Sequence, residues 1–241
     1  MEISMIQLQV YGADFGLPDP SPFVAKGHML LKLAGLEYEA VRADVRKAPK
    51  GKLPVIIDDG ETIPDSTFIR FHIEKKYGFD FDAGLVDEKK AIAWAVEKLC
   101  EDHLYWIAMH ERWIDDDNFQ AGPARFFNII PAAIRPVIRS MVRRQVRQAL
   151  QAHGMGRHSN EEMALLGEKA IGSIAAILGD KPYLMGDRPC GADATVYAFL
   201  SSAACPMFTS HLRNVIETYA NLMAYVDRMT KQYFPELAKA A

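Results

Sequence analysis

Cysteine is scarce in this 241-residue chain, and the three present, Cys100, Cys190 and Cys205, lie too far apart for a Cys-x-x-Cys pair or a ligand cluster. That spacing excludes a disulfide framework and a structural zinc site, and it fits free thiols in a reducing compartment. Long apolar runs are missing as well: no window reaches the roughly 20 residues of a membrane-spanning helix. The opening Met1-Glu2-Ile3-Ser4 has neither the basic nor the apolar region of a secretory leader, so a cytoplasmic location is expected. Charge of one sign is not in excess. A formal net charge of −3 leaves no cationic surplus for phosphates, which argues against a nucleic-acid partner. Internal repeats and low-complexity segments are absent too.

What is present is ordinary core-forming material, 49% hydrophobic residues, enough for one large domain or two modest ones. The first part alternates strand and helix. Met5 to Tyr11 reads as a short strand, followed by a Gly/Pro/Asp loop from Gly12 to Pro20, longer than most βα connections. Ser21-Pro22 then opens a helix, with serine at the cap and proline at the first helical position, where its missing N–H does no harm. Gly35 stops that helix. Glu37 to Val45, Leu53 to Ile57 and Glu61 to Ile63 read as strands, with Asp59-Gly60 as the turn joining the last two. Ser66 to Tyr77 is a helix ended by Gly78.

From Asp87 onward the strand signals stop. Asp87 to Trp113 reads as one long helix. Phe126 to Ile138 is apolar but interrupted by Pro131 and Pro136, and Pro136 to His153 is a helix with a basic side of Arg139, Arg143, Arg144 and Arg147. The simplest role for that side is a solvated face, with an acidic partner or membrane surface as the second reading. Ser159-Asn-Glu-Glu162 is a capping box that opens the next helix. Further helices are expected over 191–203 and 212–232.

The stretch Lys50-Gly-Lys-Leu-Pro-Val-Ile-Ile-Asp-Asp-Gly60 with Asp65-Ser66-Thr67 is the most telling. A proline ahead of a short apolar strand removes a backbone donor and locks a tight turn, in cis where the context demands it. The Leu53 backbone beside it is then free to pair with an extended peptide. A helix opening at Ser66 presents unpaired N–H groups and a positive dipole end, which suit a carboxylate.

This arrangement resembles the glutathione-binding half of a glutathione S-transferase. Tyr183-Leu-Met-Gly-Asp187, Asp193 and Asn221-Leu222 with Tyr225 resemble the helical half of the same family. There Cys190 replaces the usual cap hydroxyl, so that cap is expected to be weaker by ~1 kcal/mol. The long loop before Ser21-Pro22-Phe23, the run Lys50 to Tyr77, Gly156-Arg-His-Ser159 and Asp193-Ala-Thr195 look most like the branch of failed-axon-connections and metaxin-like proteins. The resemblance implies an α/β thioredoxin-like N-terminal domain over 1–80 and an all-α C-terminal domain over 87–241, forming a homodimer. Pro54 is then expected to be cis.

It also implies site residues. Lys52, Leu53, Pro54, Asp65 and Ser66 are expected to bind glutathione, with Asp65 toward its ammonium, Ser66 toward the γ-glutamyl carboxylate and Lys52 toward the glycine carboxylate. Ser21 is expected to donate a hydrogen bond to the glutathione sulfur; its other reading is a plain helix cap. Tyr11 is the alternative catalytic hydroxyl. Serine at position 21 disfavours the mixed-disulfide chemistry of relatives with cysteine there. Tyr105, Trp106, His110 and Trp113 are expected near a site for a small hydrophobic electrophile, with core packing as their other reading. His103 and His110 with Glu101 and Asp102 beside them have no third strong ligand at fitting spacing, so no metal is expected. Two functions follow: a glutathione transferase that conjugates or reduces a small electrophile, or a non-catalytic protein-interaction module.

Overall fold

The computed structural model describes residues 5–238. Strands β1 (Ile6–Val10), β2 (Tyr38–Arg42), β3 (Val55–Asp58) and β4 (Glu61–Pro64) form one sheet in the order β2-β1-β3-β4. β1 and β2 are parallel, with Leu8 beside Ala40. The other two pairings are antiparallel, Leu8 facing Ile56 and Ile56 facing Ile63. A parallel pair needs a crossover, and α1 (Pro22–Leu33) supplies it. The β3–β4 pair needs only the Asp59-Gly60 turn, whose two residues both take positive φ (48° and 82°). α2 (Ser66–Tyr77) follows β4 and packs against α1. Its far end is fixed by the buried Asp58 carboxylate, which accepts from His72 at 2.7 Å and Tyr77 at 3.0 Å and pairs with Lys76 at 2.7 Å.

The rest is helical. α3 (Asp87–Lys98) runs through a wide π-helical turn, Leu99–Leu104, into α4 (Tyr105–Trp113) without a break. α5 (Asp116–Ala121) and a 3-10 stretch, Pro123–Ile129, lead to α6 (Arg135–His153). α7 (Asn160–Leu178), α8 (Gly191–Ala203), α9 (His211–Thr218), α10 (Ala220–Tyr233) and α11 (Pro235–Ala238) complete the chain. α8 is buried on every side from Gly191 to Ser202 and packs against α1, as expected of a helix apolar all round. One hydrophobic core joins both halves: Leu8, Val24 and Ile69 are continuous with Val96, Ile171 and Val196.

A buried ion network crosses the same junction. Lys26 of α1, fully buried, donates to Glu97 at 2.9 Å and to Glu101 at 2.6 Å. Arg70 of α2 meets the other oxygen of Glu97 at 2.5 Å and Asp82 at 2.6 Å, and Thr195 of α8 donates to Glu97 at 3.0 Å. Burial pulls the Lys26 ammonium down, but Glu97 and Glu101 outweigh it and hold the group above its ordinary value. Burial likewise pushes Glu97 up, and Lys26 and Arg70 bring it below the usual carboxylate range. Gly191 makes room for this network, since a Cβ there would lie 2.3 Å from the Arg70 guanidinium.

Several elements depart from the sequence reading. β2 ends at Arg42, short of Val45, because Asp44 accepts from Arg46 N–H at 3.0 Å and starts a 3-10 turn. α5 is an element the sequence reading omitted; Asp115 caps it by accepting from Asn118 N–H at 2.8 Å. The helix expected over 212–232 is two helices, split at Tyr219. Tyr219 packs on α7 where its hydroxyl would lie 2.9 Å from a Cβ at Gly172. The freed carbonyl of Val215 is taken up by the Thr218 hydroxyl at 2.7 Å.

Candidate functional site

Four backbone features converge where the sheet meets α1 and α2. The Leu53–Pro54 peptide bond is cis. Neither the N–H nor the C=O of Leu53 is hydrogen-bonded among the described residues, because β3 begins only at Val55. Gly27 lets α1 close on this turn, since a Cβ there would sit 3.4 Å from the Pro54 ring and 3.3 Å from Leu8. The Pro54 carbonyl accepts from the Asp65 N–H at 3.0 Å, which fixes the start of α2 beside it.

Asp65 holds φ at 82°, an unusual backbone state for a residue with a Cβ, and its carboxylate accepts from Thr67 N–H at 2.9 Å. Asp65 is therefore the helix cap. Ser66 is the first helical residue and not itself the cap; it is buried, and its hydroxyl has no hydrogen-bond partner among the described residues. Lys50 lies 3.8 Å from the Asp65 carboxylate and 4.4 Å over the Phe68 ring. Lys52 is exposed and makes no ion pair among the described residues.

At the start of α1, Ser21 sits in extended conformation with its oxygen accepting from Val24 N–H at 3.4 Å. That is a long cap bond, and it leaves the hydroxyl proton uncommitted. Asp19, which sequence reasoning overlooked, builds this corner. Its buried carboxylate accepts from the N–H groups of Tyr11 at 3.0 Å, Gly12 at 2.9 Å and Ser21 at 2.9 Å, tying the end of β1 to the start of α1. Burial pushes Asp19 up to about 7, against the pull of those three N–H groups and Arg42. The available signal was an Asp two residues before the Ser-Pro helix start, in a loop otherwise without a fold-forming pattern. Tyr11 is 40% exposed, and burial, Asp19 and Tyr105 push its phenol up to about 12, so it keeps its proton at neutral pH.

The long loop after β1 is pinned to the helical half. Phe15 packs on Phe126 at 5.8 Å and edge-on to Phe208 at 5.7 Å, Asp14 pairs with Arg125 at 3.3 Å, and the Cys205 thiol donates to the Phe15 carbonyl at 3.5 Å. The four residues expected beside a second substrate point in different directions. Tyr105 packs edge-on to Phe23, two residues from Ser21, at 5.0 Å. Trp106 stacks on His153 of α6 at 4.3 Å, and Trp113 packs on Phe119 of α5 at 5.9 Å. His110 is half-buried, and burial lowers its pKa. Tyr105 is thus the member of the four whose ring contacts reach α1. Among the described residues, no group of three His, Cys, Asp or Glu side chains is arranged to hold a metal ion.

A mixed four-stranded sheet with a cis-proline turn beside a helix start, joined to an all-helical half, defines a thioredoxin-like domain fused to a helical bundle. The family models for the glutathione S-transferase N-terminal domain and C-terminal domain match residues 22–118 and 167–229. The isoprene-epoxide–glutathione S-transferase of Rhodococcus sp. (strain AD45) is 32% identical over 238 residues, covering 95% of this chain and 99% of that protein. The chain belongs to the glutathione S-transferase family. The Failed axon connections protein of Drosophila melanogaster is also 32% identical over 91% of this chain, which spans 56% of that longer protein. Among solved structures, the β-etherase LigF from Sphingobium sp. strain SYK-6 shares the fold with a TM-score of 0.68 at 17% identity, covering 99% of this chain and 100% of that one.

Proposed function

We propose that the protein binds glutathione against the Leu53–Pro54 turn and the start of α2, and activates its thiol through Ser21 for attack on a small apolar electrophile. The observation that carries this reading is the pairing of an unbonded Leu53 backbone with the Asp65–Ser66 helix start, held together by the Asp65 N–H to Pro54 carbonyl bond. An extended peptide has free N–H and C=O groups to match Leu53. The γ-glutamyl carboxylate suits the free N–H groups and hydroxyl at Ser66, and its ammonium suits Asp65. Lys52 is the cation nearest in sequence for the glycine carboxylate.

A free thiol ionises near pH ~8.5, and a hydroxyl donor at a helix N-terminus favours the thiolate, which is the nucleophile. The uncommitted Ser21 proton supports that role. Tyr11 keeps its proton and is the second donor available at this corner. By analogy with the Rhodococcus relative, a small epoxide is the electrophile to try first. The sulfur–carbon bond would form as the carbon–oxygen bond breaks, and the oxygen would end as a hydroxyl with a proton from solvent or from Tyr11.

The same reading takes the protein to be cytoplasmic and homodimeric. Three buried free thiols support a reducing compartment. For the dimer we assign an exposed aromatic patch: Phe71 lies 6.1 Å from Phe68 and stacks at 6.3 Å on Trp94. Calorimetry with reduced glutathione tests the function. Micromolar-to-millimolar binding supports it, whereas no heat at high ligand turns the choice to a non-catalytic interaction module, a reading favoured by the equal identity to a relative whose name records no transferase activity.

A further inference from the structure

Between Asn118 and Asn160 the chain has seven arginines and no aspartate, glutamate or lysine, although the whole protein carries a net charge of −3. α6 holds five of the seven. Arg135, Arg139 and Arg143 direct their guanidinium groups at neutral carbonyls: Ile130 at 2.9 Å, Ala124 at 2.8 Å, and Trp113 and Ile114 at 3.0 and 2.8 Å. Only Arg143 also meets an acid among the described residues, Asp116 at 2.7 Å. The Nε of Arg139 is buried without a partner, and Arg144 and Arg147 are exposed with no ion pair among the described residues. Arg139, Arg143, Arg144 and Arg147 line one side of an open cleft of about 840 Å³.

The same segment exposes large apolar side chains. Phe126, Ile129, Ile134, Val137 and Met141 are all exposed, Ile129 by 92% and Val137 by 68%. Ile134, Val137 and Met141 stand at i, i+3 and i+7, a single stripe along α6, and Arg144 continues the stripe one turn on. The other side of the helix is already used: Ile138 and Val142 pack on the cluster of Phe119 and Phe127. The helix is therefore seated in the core on one face, while its outer face offers apolar groups and free guanidinium groups together.

We propose that this outer face, from Ile129 to Arg147, seats the protein on an anionic bilayer surface. Arg144 and Arg147 take lipid phosphates in their planar forks, and Ile129, Ile134, Val137 and Met141 enter the headgroup boundary. Charge complementarity selects this occupant. A second copy would bring arginine against arginine, and a nucleic-acid strand has no use for a stripe of aliphatic side chains. Docking of this kind needs no spanning segment, and among the described residues no helix is long and apolar enough to cross a membrane.

Co-sedimentation of the full-length protein with vesicles tests this directly. Vesicles of phosphatidylcholine containing phosphatidylserine should bind it, pure phosphatidylcholine vesicles should not, and added salt should weaken the binding. The double variant R144A/R147A should lower the partition coefficient by about twenty-five-fold, since each surface-bound arginine is worth roughly a factor of five. V137S/M141S should also weaken binding while leaving its salt dependence in place. All four positions are exposed or on the outer stripe, so melting temperature and glutathione binding serve as controls for folding. Equal binding to both vesicle types, or binding unchanged in R144A/R147A, overturns the proposal. So does competition by soluble glycerophosphoserine at the concentration of vesicle lipid, which marks a phosphate pocket in place of a surface. Binding to polyglutamate without binding to the charged vesicles points to an acidic protein partner and also overturns it.

Discussion

The Asp65 N–H donates to the Pro54 carbonyl at 3.0 Å, so the turn that frees the Leu53 backbone and the start of α2 are set by one hydrogen bond. Asp65 does the capping, accepting from Thr67 N–H, and Ser66 stands one residue inside the helix. This separation of roles divides the consequences of mutating the two neighbours.

Ser66→Ala removes no helix cap, so it should leave the melting temperature nearly unchanged while weakening glutathione binding several-fold. Asp65→Ala should do both, costing about 1 kcal/mol of stability through the lost cap and weakening the ligand through its ammonium. Calorimetric titration and thermal melts on the two variants check this. A drop in stability for Ser66→Ala with unchanged affinity would make Ser66 a purely structural residue.

Glu97 is the shared acceptor of Lys26, Arg70 and Thr195 in the buried junction. Its truncation to Ala leaves two buried cations short of a partner, and such a break costs roughly 3–5 kcal/mol. Lys26→Met should cost less, because Glu97 keeps Arg70 and Thr195 and the new side chain is apolar. Urea unfolding of both variants measures the difference. Equal losses would contradict the assignment of Glu97 as the member on which the network depends most.

His28 is buried with a ring nitrogen 2.8 Å from the Tyr38 hydroxyl, and burial, helped by Lys32, lowers its pKa to about 4. Between pH 6.5 and 4 the unfolded imidazole binds a proton that the folded one does not. Stability from this group is therefore full above about 6.5 and falls by about 3 kcal/mol as pH drops through 4. Asp19, raised to about 7 by burial, acts in the opposite sense: its contribution is greatest below the ordinary carboxylate pKa and is lost as pH rises through 7. The comparison with His28→Gln isolates the histidine. That variant should show a shallower loss of stability from pH 6.5 to 4, read from urea midpoints, and an unchanged slope would assign the acid sensitivity elsewhere.

Much of this fold is readable from local signals. Ser159 with Glu162 forms the capping box its spacing announces, Asp59-Gly60 is the hairpin turn, and Pro54 is cis in the turn ahead of β3. These are decided by neighbouring residues. Asp19 was opaque because its three donors come from the ends of two different elements, and its one local signal, a place two residues before the Ser-Pro helix start, does not point to the donors at the end of β1. The break at Tyr219 was hidden for a similar reason, since it depends on the space left by Gly172 on another helix. The aromatic residues of α4 alternate around the helix, and sequence spacing alone could not say that Tyr105 turns to Phe23 while Trp106 turns to His153.

The ionisation of bound glutathione is the most direct test of the account, followed by thiolate absorbance against pH for the wild type and Ser21→Ala. If the Ser21 hydroxyl stabilises the thiolate, the variant should bind glutathione with nearly the same affinity, because Leu53, Asp65 and Ser66 still hold the tripeptide. Its bound thiol should titrate about one unit higher, a tenfold loss of thiolate at pH values below the pKa, or about 1.4 kcal/mol. Superimposable titrations for the two proteins would contradict the assignment and leave Ser21 as a helix cap.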